Sequence, residues 1–143
     1  MWNHKCGQQD KDNLVVWDYH VIMIHSNHCH SLVYDFDCSL PFPCDFSSYS
    51  KQVLRDDDLL HEDYHRRFRV VSAHDYLEVF ASDRSRMKNQ IGEWIKPPPQ
   101  YPCIQTSQSS SNLDDFISMD NKLFHIGEIL ALKQLNTRFS LAN

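Results

Sequence analysis

Two apolar runs separated by a short polar turn limit what this chain can become. Leu14 to His25 reads LVVWDYHVIMIH and Ser31 to Asp37 reads SLVYDFD, both rich in β-branched and aromatic residues. Such residues fit a pleated surface, and a polar link of five residues, Ser26 to His30, joins the runs as an antiparallel hairpin. Both faces of the hairpin carry apolar side chains. Val16, Ile22, Ile24 and Val33 lie on one, and Trp17, Tyr19, Val21 and Phe36 on the other. That pattern predicts an inner part of a sheet covered on both sides.

The hairpin also sets up chemistry. With Asn27-His28 as a two-residue loop, paired positions sum to 55 and His20 stands opposite Asp35. Directly opposed residues project from the same face. A carboxylate so placed can fix the tautomer of an imidazole and stabilise its cation, leaving the other ring nitrogen for a substrate or nucleophile. The same pair also reads as an ordinary polar contact, and the hairpin alone leaves the choice open. His25, His28, Cys29 and His30 at the turn, with His4 and Cys6 upstream, offer zinc-ligand chemistry as a rival, but their spacing matches no common zinc pattern and no metal is expected. The acidic run at Asp56–Asp58 and the charges from Asp63 to Arg69 read as solvated surface.

Beyond the hairpin the elements are shorter. Two prolines in LPFPCDF, Leu40 to Phe46, interrupt the sheet. Tyr49 to Leu54 is expected as a helical turn and Phe68 to Ser72 as a third strand. Ser72 caps a helix over 73–81, Pro97-Pro98-Pro99 must be extended, and Asn112 caps a helix running through Ser118. Ile129, Leu132, Leu135 and Phe139 recur at helical spacing after Gly127, which predicts a closing amphipathic helix. Residues 1–13 form an irregular polar arm, and 14–143 suffice for one domain.

Composition narrows the function classes. A formal charge of −5 supplies no attraction for nucleic acid. No apolar run approaches 18 residues, so no membrane span is expected. Five cysteines, an odd number without regular spacing, argue against a disulfide framework and for a reducing compartment, the cytosol with the nucleus also open.

Five segments in order, WDYHVIMIH (17–25), YDFDCSLPFPC (34–44), FRVVSAHDYLEVFASDRSRMK (68–88), PPPQYPCI (97–104) and NLDDFISMD (112–120), together resemble the protein N-terminal glutamine amidohydrolases. The resemblance covers nearly all of the chain from Leu14 onward. It implies an α/β sandwich of the papain and transglutaminase type, a mainly antiparallel sheet flanked by helices. It further implies deamidation of an N-terminal glutamine to glutamate with release of ammonia, which feeds an N-terminal degradation signal, by a cysteine-triad hydrolase without a cofactor. The triad is Cys-His-Asp, and its histidine and aspartate fall on His20 and Asp35. Protein or peptide substrates with an N-terminal glutamine are the expected partners, and the protein is expected to be a monomer.

The family's nucleophilic cysteine lies in a Cys-rich stretch near its N-terminus, leading into a helix. No part of this sequence matches that stretch, so the chain is expected to begin downstream of it and the domain to be incomplete. Cys44 belongs to the LPFPC segment, which coexists with the nucleophile in the family and does not replace it. A catalytically inactive isoform or binding module that keeps the cleft is the competing reading. Asp37, two residues past Asp35, is the candidate partner for a substrate ammonium, against the alternative that it only caps the strand. Loss of the N-terminal helix from such a sandwich is expected to leave apolar surface exposed and stability low.

Overall fold

The structure, a computed structural model, describes Met1–Ser140; the last three positions of the expected 14–143 domain lie outside the described residues. It is an α/β arrangement of small antiparallel sheets and short helices. The described chain divides into two compact units, Met1–Phe68 with the segment from Leu130 onward, and Arg69–Ile129.

In the first unit β1 (Met23–Ser26), β2 (Ser31–Tyr34) and β3 (Cys44–Asp45) form a sheet in that order. The hairpin of β1 and β2 is therefore present, but its register differs from expectation. Met23 pairs with Tyr34 and Ser26 with Ser31, so partners sum to 57, and Asn27 to His30 form a four-residue loop. The Asn27 side chain accepts from the N–H groups of Cys29 and His30 at 2.8 and 3.0 Å and closes that loop. A shift of two positions preserves the face on which each side chain lies, where a shift of one would have inverted it.

The ladder is also shorter than the apolar run. Residues 16–22 stay outside it, while Val15 exchanges backbone hydrogen bonds with Met1, both at 2.8 Å. Because β1 is an edge strand, the expectation of a sheet covered on both sides is not met. Val21, Met23 and Phe36 are 65, 54 and 79% exposed, whereas Ile22 and Ile24 are half-buried and Val33 is buried.

Asp45 accepts a hydrogen bond from the Ser48 N–H at 3.0 Å and starts α1 (Phe46–Tyr49), which continues as a π-turn over Ser50–Leu54. Phe46, Tyr49, Val53 and Leu54 all face inward and, with Val33, Leu132 and Leu135, make the core. The N-terminal segment joins it: it has bridges and one 3-10 turn over Gln9–Lys11, and Trp2 and His4 are buried.

The chain leaves this unit along β4 (Arg67–Val70) and returns along β5 (Glu128–Ala131), which pair as a second sheet. Between them, Ser72 Oγ accepts from the Asp75 N–H at 3.0 Å and caps α2 (Ala73–Val79), as its sequence predicts. Asn112 precedes α3 (Leu113–Ile117) without capping it. Its side chain instead accepts from the Ala81 N–H and donates to the Val79 carbonyl, both at 2.8 Å. Rings of Tyr76, Phe80, Phe116 and Phe124 pack in succession at centroid distances of 4.6 to 5.2 Å.

The expected closing helix is split. Residues 128–131 are strand, and α4 (Leu132–Phe139) follows. Gly127 has φ of 78°, and a Cβ there would lie 2.6 Å from the Val70 carbonyl oxygen. That positive-φ turn directs the following residues into strand geometry, so Ile129 belongs to β5 while Leu132 and Leu135 hold the buried face of α4.

Candidate active site

Asp35 is the centre of the site. It sits immediately after β2, with its side chain 2% exposed. His20 Nε2 lies 3.0 Å from Asp35 Oδ1. The Tyr49 hydroxyl donates to Oδ2 at 2.7 Å, and the Asp37 N–H donates to Oδ1 at 3.0 Å. Burial pushes the Asp35 carboxyl up, but the hydrogen bonds from His20, Tyr49 and Asp37 outweigh it and bring the group to about 2. Asp35 is therefore ionised at neutral pH. Burial first, and then its bond to Asp35, push the Tyr49 phenol far above its ordinary range, so it stays a donor.

An ionised carboxylate only accepts, so the hydrogen of that bond is on His20 Nε2; in the neutral form of the ring the lone pair is then on Nδ1. The ring plane is held as well. Trp17 stacks on His20 at 5.1 Å with 21° between the planes. Since residues 16–22 lie outside the ladder, His20 reaches Asp35 from an irregular segment. Both residues lie just beyond the paired strands, so the contact is made by packing of the flanking segments rather than by ladder register.

His20 opens onto a cleft of about 420 Å³ lined by Trp17, Asp18, Tyr19, His20, Val21 and Asp37. Asp37 is exposed at its margin. Its backbone N–H serves Asp35, and the residue lines the cleft.

Two members of the site, Tyr49 and His4, are not placed beside Asp35 by any sequence signal; the sequence offers His4 only as one of several dispersed zinc-type ligands. Tyr49 was legible only as part of a helical turn, and its distance of one turn from Phe46 marks it as core. His4 lies in the polar arm, yet its side chain is fully buried. Its ring sits edge-on to Trp17 at 5.7 Å and to His20 at 5.0 Å, and its Nε2 lies 3.8 Å from Asp35 Oδ2. Neither ring nitrogen has a hydrogen-bond partner. Burial lowers its basicity more than Asp35 restores it, so the imidazole is neutral and one unpaired N–H costs roughly 1–3 kcal/mol.

Among the described residues, His4, His20 and Asp35 are the set whose potential ligand atoms converge, all within 4.8 Å of one another. His25, His28, Cys29 and His30 do not converge, because the His30 ring is held by Asn27 and the turn points its side chains outward. Cys38 and Cys44 are buried, and burial raises both thiols, so they stay protonated.

A buried, hydrogen-bonded carboxylate behind an imidazole that opens on a cleft is an arrangement that can support general-base chemistry. The profile of the family described as N-terminal glutamine amidase matches residues 1–139, and the chain belongs to that family. It is 47% identical over 133 residues to the protein N-terminal glutamine amidohydrolase of Homo sapiens, covering 92% of this chain and 64% of that protein. The protein of the same name from Danio rerio is 43% identical over 142 residues, covering 99% of this chain and 69% of the relative. That from Drosophila erecta is 46% identical over 122 residues, covering 83% and 58%. The chain thus spans less than two thirds of the human relative's length.

Proposed function

We propose that this chain carries the base and orienting carboxylate of a cysteine-triad deamidase, which converts the N-terminal glutamine of a protein to glutamate and releases ammonia. The observation that carries the reading is the 3.0 Å contact of His20 Nε2 with a carboxylate held ionised, on the wall of an open cleft. Family membership and the names of the relatives support the substrate. The papain and transglutaminase type of sandwich belongs to the same reading.

In the reaction, His20 Nδ1 takes the proton of a cysteine thiol, and the thiolate attacks the side-chain carboxamide. His20 then protonates the departing amine, so that ammonia leaves and a thioester remains. The same nitrogen next deprotonates water, which hydrolyses the thioester to glutamate and returns the thiol. Asp35 stabilises the imidazolium at each stage. Cys38 and Cys44, buried and protonated, do not suit the role of nucleophile. The substrate's free ammonium meets the Asp37 carboxylate in the cleft, where Asp18 adds a second negative charge.

The test joins this chain to the cysteine-bearing N-terminal stretch of a family member and measures ammonia release from a Gln-terminal peptide. Activity is expected in the joined protein and is lost in its His20→Ala and Asp35→Ala variants. Asp37→Asn is expected to raise KM with little change in stability. An inert joined protein that is folded favours the competing reading, a binding module that keeps the cleft.

A further inference from the structure

We propose that His4, His20 and Asp35 form a binding site for a divalent transition-metal cation of the zinc type. Two imidazoles and one carboxylate are ligands that zinc accepts, and three protein ligands with an open fourth position make a complete site of the catalytic kind. In a tetrahedron with bonds of about 2.0–2.2 Å, ligand atoms stand about 3.3–3.6 Å apart. Asp35 lies 3.0 Å from His20 Nε2 through one oxygen and 3.8 Å from His4 Nε2 through the other, and all three ligand atoms fall within 4.8 Å.

The second observation is His4. A fully buried imidazole with both nitrogens unpartnered is a polar group without an assigned use, and it points at a buried carboxylate. A cation between them would take the His4 lone pair. The carboxylate is already oriented from behind by the Tyr49 hydroxyl and the Asp37 N–H, the kind of support that metal ligands require. Entry is through the cleft wall at His20, whose side chain is 10% exposed. Magnesium and calcium, which require oxygen donors, are poorly served by this set.

Binding moves the His20 proton from Nε2 to Nδ1 and engages Asp35 on the metal. Bound metal therefore removes the free lone pair and the orienting carboxylate at once. That consequence, inhibition by zinc, rests on the proposed deamidase; the metal site itself does not.

The test measures Zn²⁺ binding to the chain by competition with a chromophoric chelator at neutral pH. One equivalent is expected. His4→Gln and His20→Gln each weaken it by more than about a hundredfold, beyond the loss typical of an outer-shell change. A His28→Ala/His30→Ala double variant retains it. Absence of stoichiometric zinc in the wild type, or binding lost in the turn variant and kept in His4→Gln, overturns the site. Should His4→Gln fail to fold by circular dichroism, Co²⁺ titration of the wild type decides. Visible bands of a four-coordinate centre without sulfur-to-cobalt charge transfer support the assignment. A sulfur band, or no visible band, refutes it. Neither measurement depends on ammonia release.

Discussion

Asp35 and His4 give this molecule two separate sensitivities to acid. The carboxyl of Asp35 titrates at about 2 in the folded protein against an ordinary 3.8. A depressed carboxyl contributes stability above its unfolded pKa and loses it as pH falls through the folded one, so this contribution, ~2 kcal/mol, disappears between about pH 4 and pH 2. His4 is also depressed, from an ordinary 6.5. Its unfolded form takes up a proton first, so stability begins to fall as pH drops below about 6.5. Urea titrations across this range are expected to show both slopes, the lower one absent in Asp35→Asn and the upper one absent in His4→Gln. Tyr49→Phe is expected to cost about 1.5–3 kcal/mol, because it strips a buried carboxylate oxygen of its donor. A loss under half a kcal/mol would show that Asp35 does not rely on the phenol.

Among the elements, β4 illustrates how a single side chain can organise a loop. Arg69 donates twice to the Ser118 carbonyl, at 3.1 and 2.7 Å, and to the Phe124 and Ile126 carbonyls at 3.2 and 2.7 Å, while its guanidinium lies 5.2 Å from the Phe124 ring centroid. Lysine has neither the planar fork nor the number of donors to meet these acceptors. Arg69→Lys is expected to destabilise by about 1–3 kcal/mol and to raise amide exchange over residues 118–126 while leaving that of α1 unchanged. Uniform exchange across the chain would show that the loop holds together without it. Gly127 acts at the end of the same loop through its positive φ and its approach to Val70, and it is the reason a helical apolar spacing became strand and then helix.

At the scale of the whole molecule, a buried cluster coexists with several exposed apolar side chains. Leu135 in α4 and Val33 in β2 are nearly inaccessible, so Leu135→Ala is expected to cost about 2–5 kcal/mol. Val16, Val21, Met23, Phe36 and Phe42 in the same unit are each more than half exposed. Phe36 and Phe42 touch, with ring centroids 4.9 Å apart, and exposed apolar surface of this kind promotes association. Static light scattering is expected to show self-association of the chain that a Val21→Lys/Phe36→Lys variant reduces several-fold. Equal scattering from both proteins would acquit these side chains.

The β-branched and aromatic run around Trp17, the Ser72 cap and the family segments were legible locally, because side-chain alternation and capping act over a few residues. That alternation pointed to His20 and Asp35 as partners, and they do meet, although both lie just outside the paired strands, where packing and not register joins them. Folding in three dimensions alone decided the rest. Burial of His4 beside Asp35, the Tyr49 hydroxyl behind the carboxylate and the strand before α4 join residues distant in sequence or unmarked by any period. Burial and long-range contact are properties of the closed chain, and no window of residues contains them.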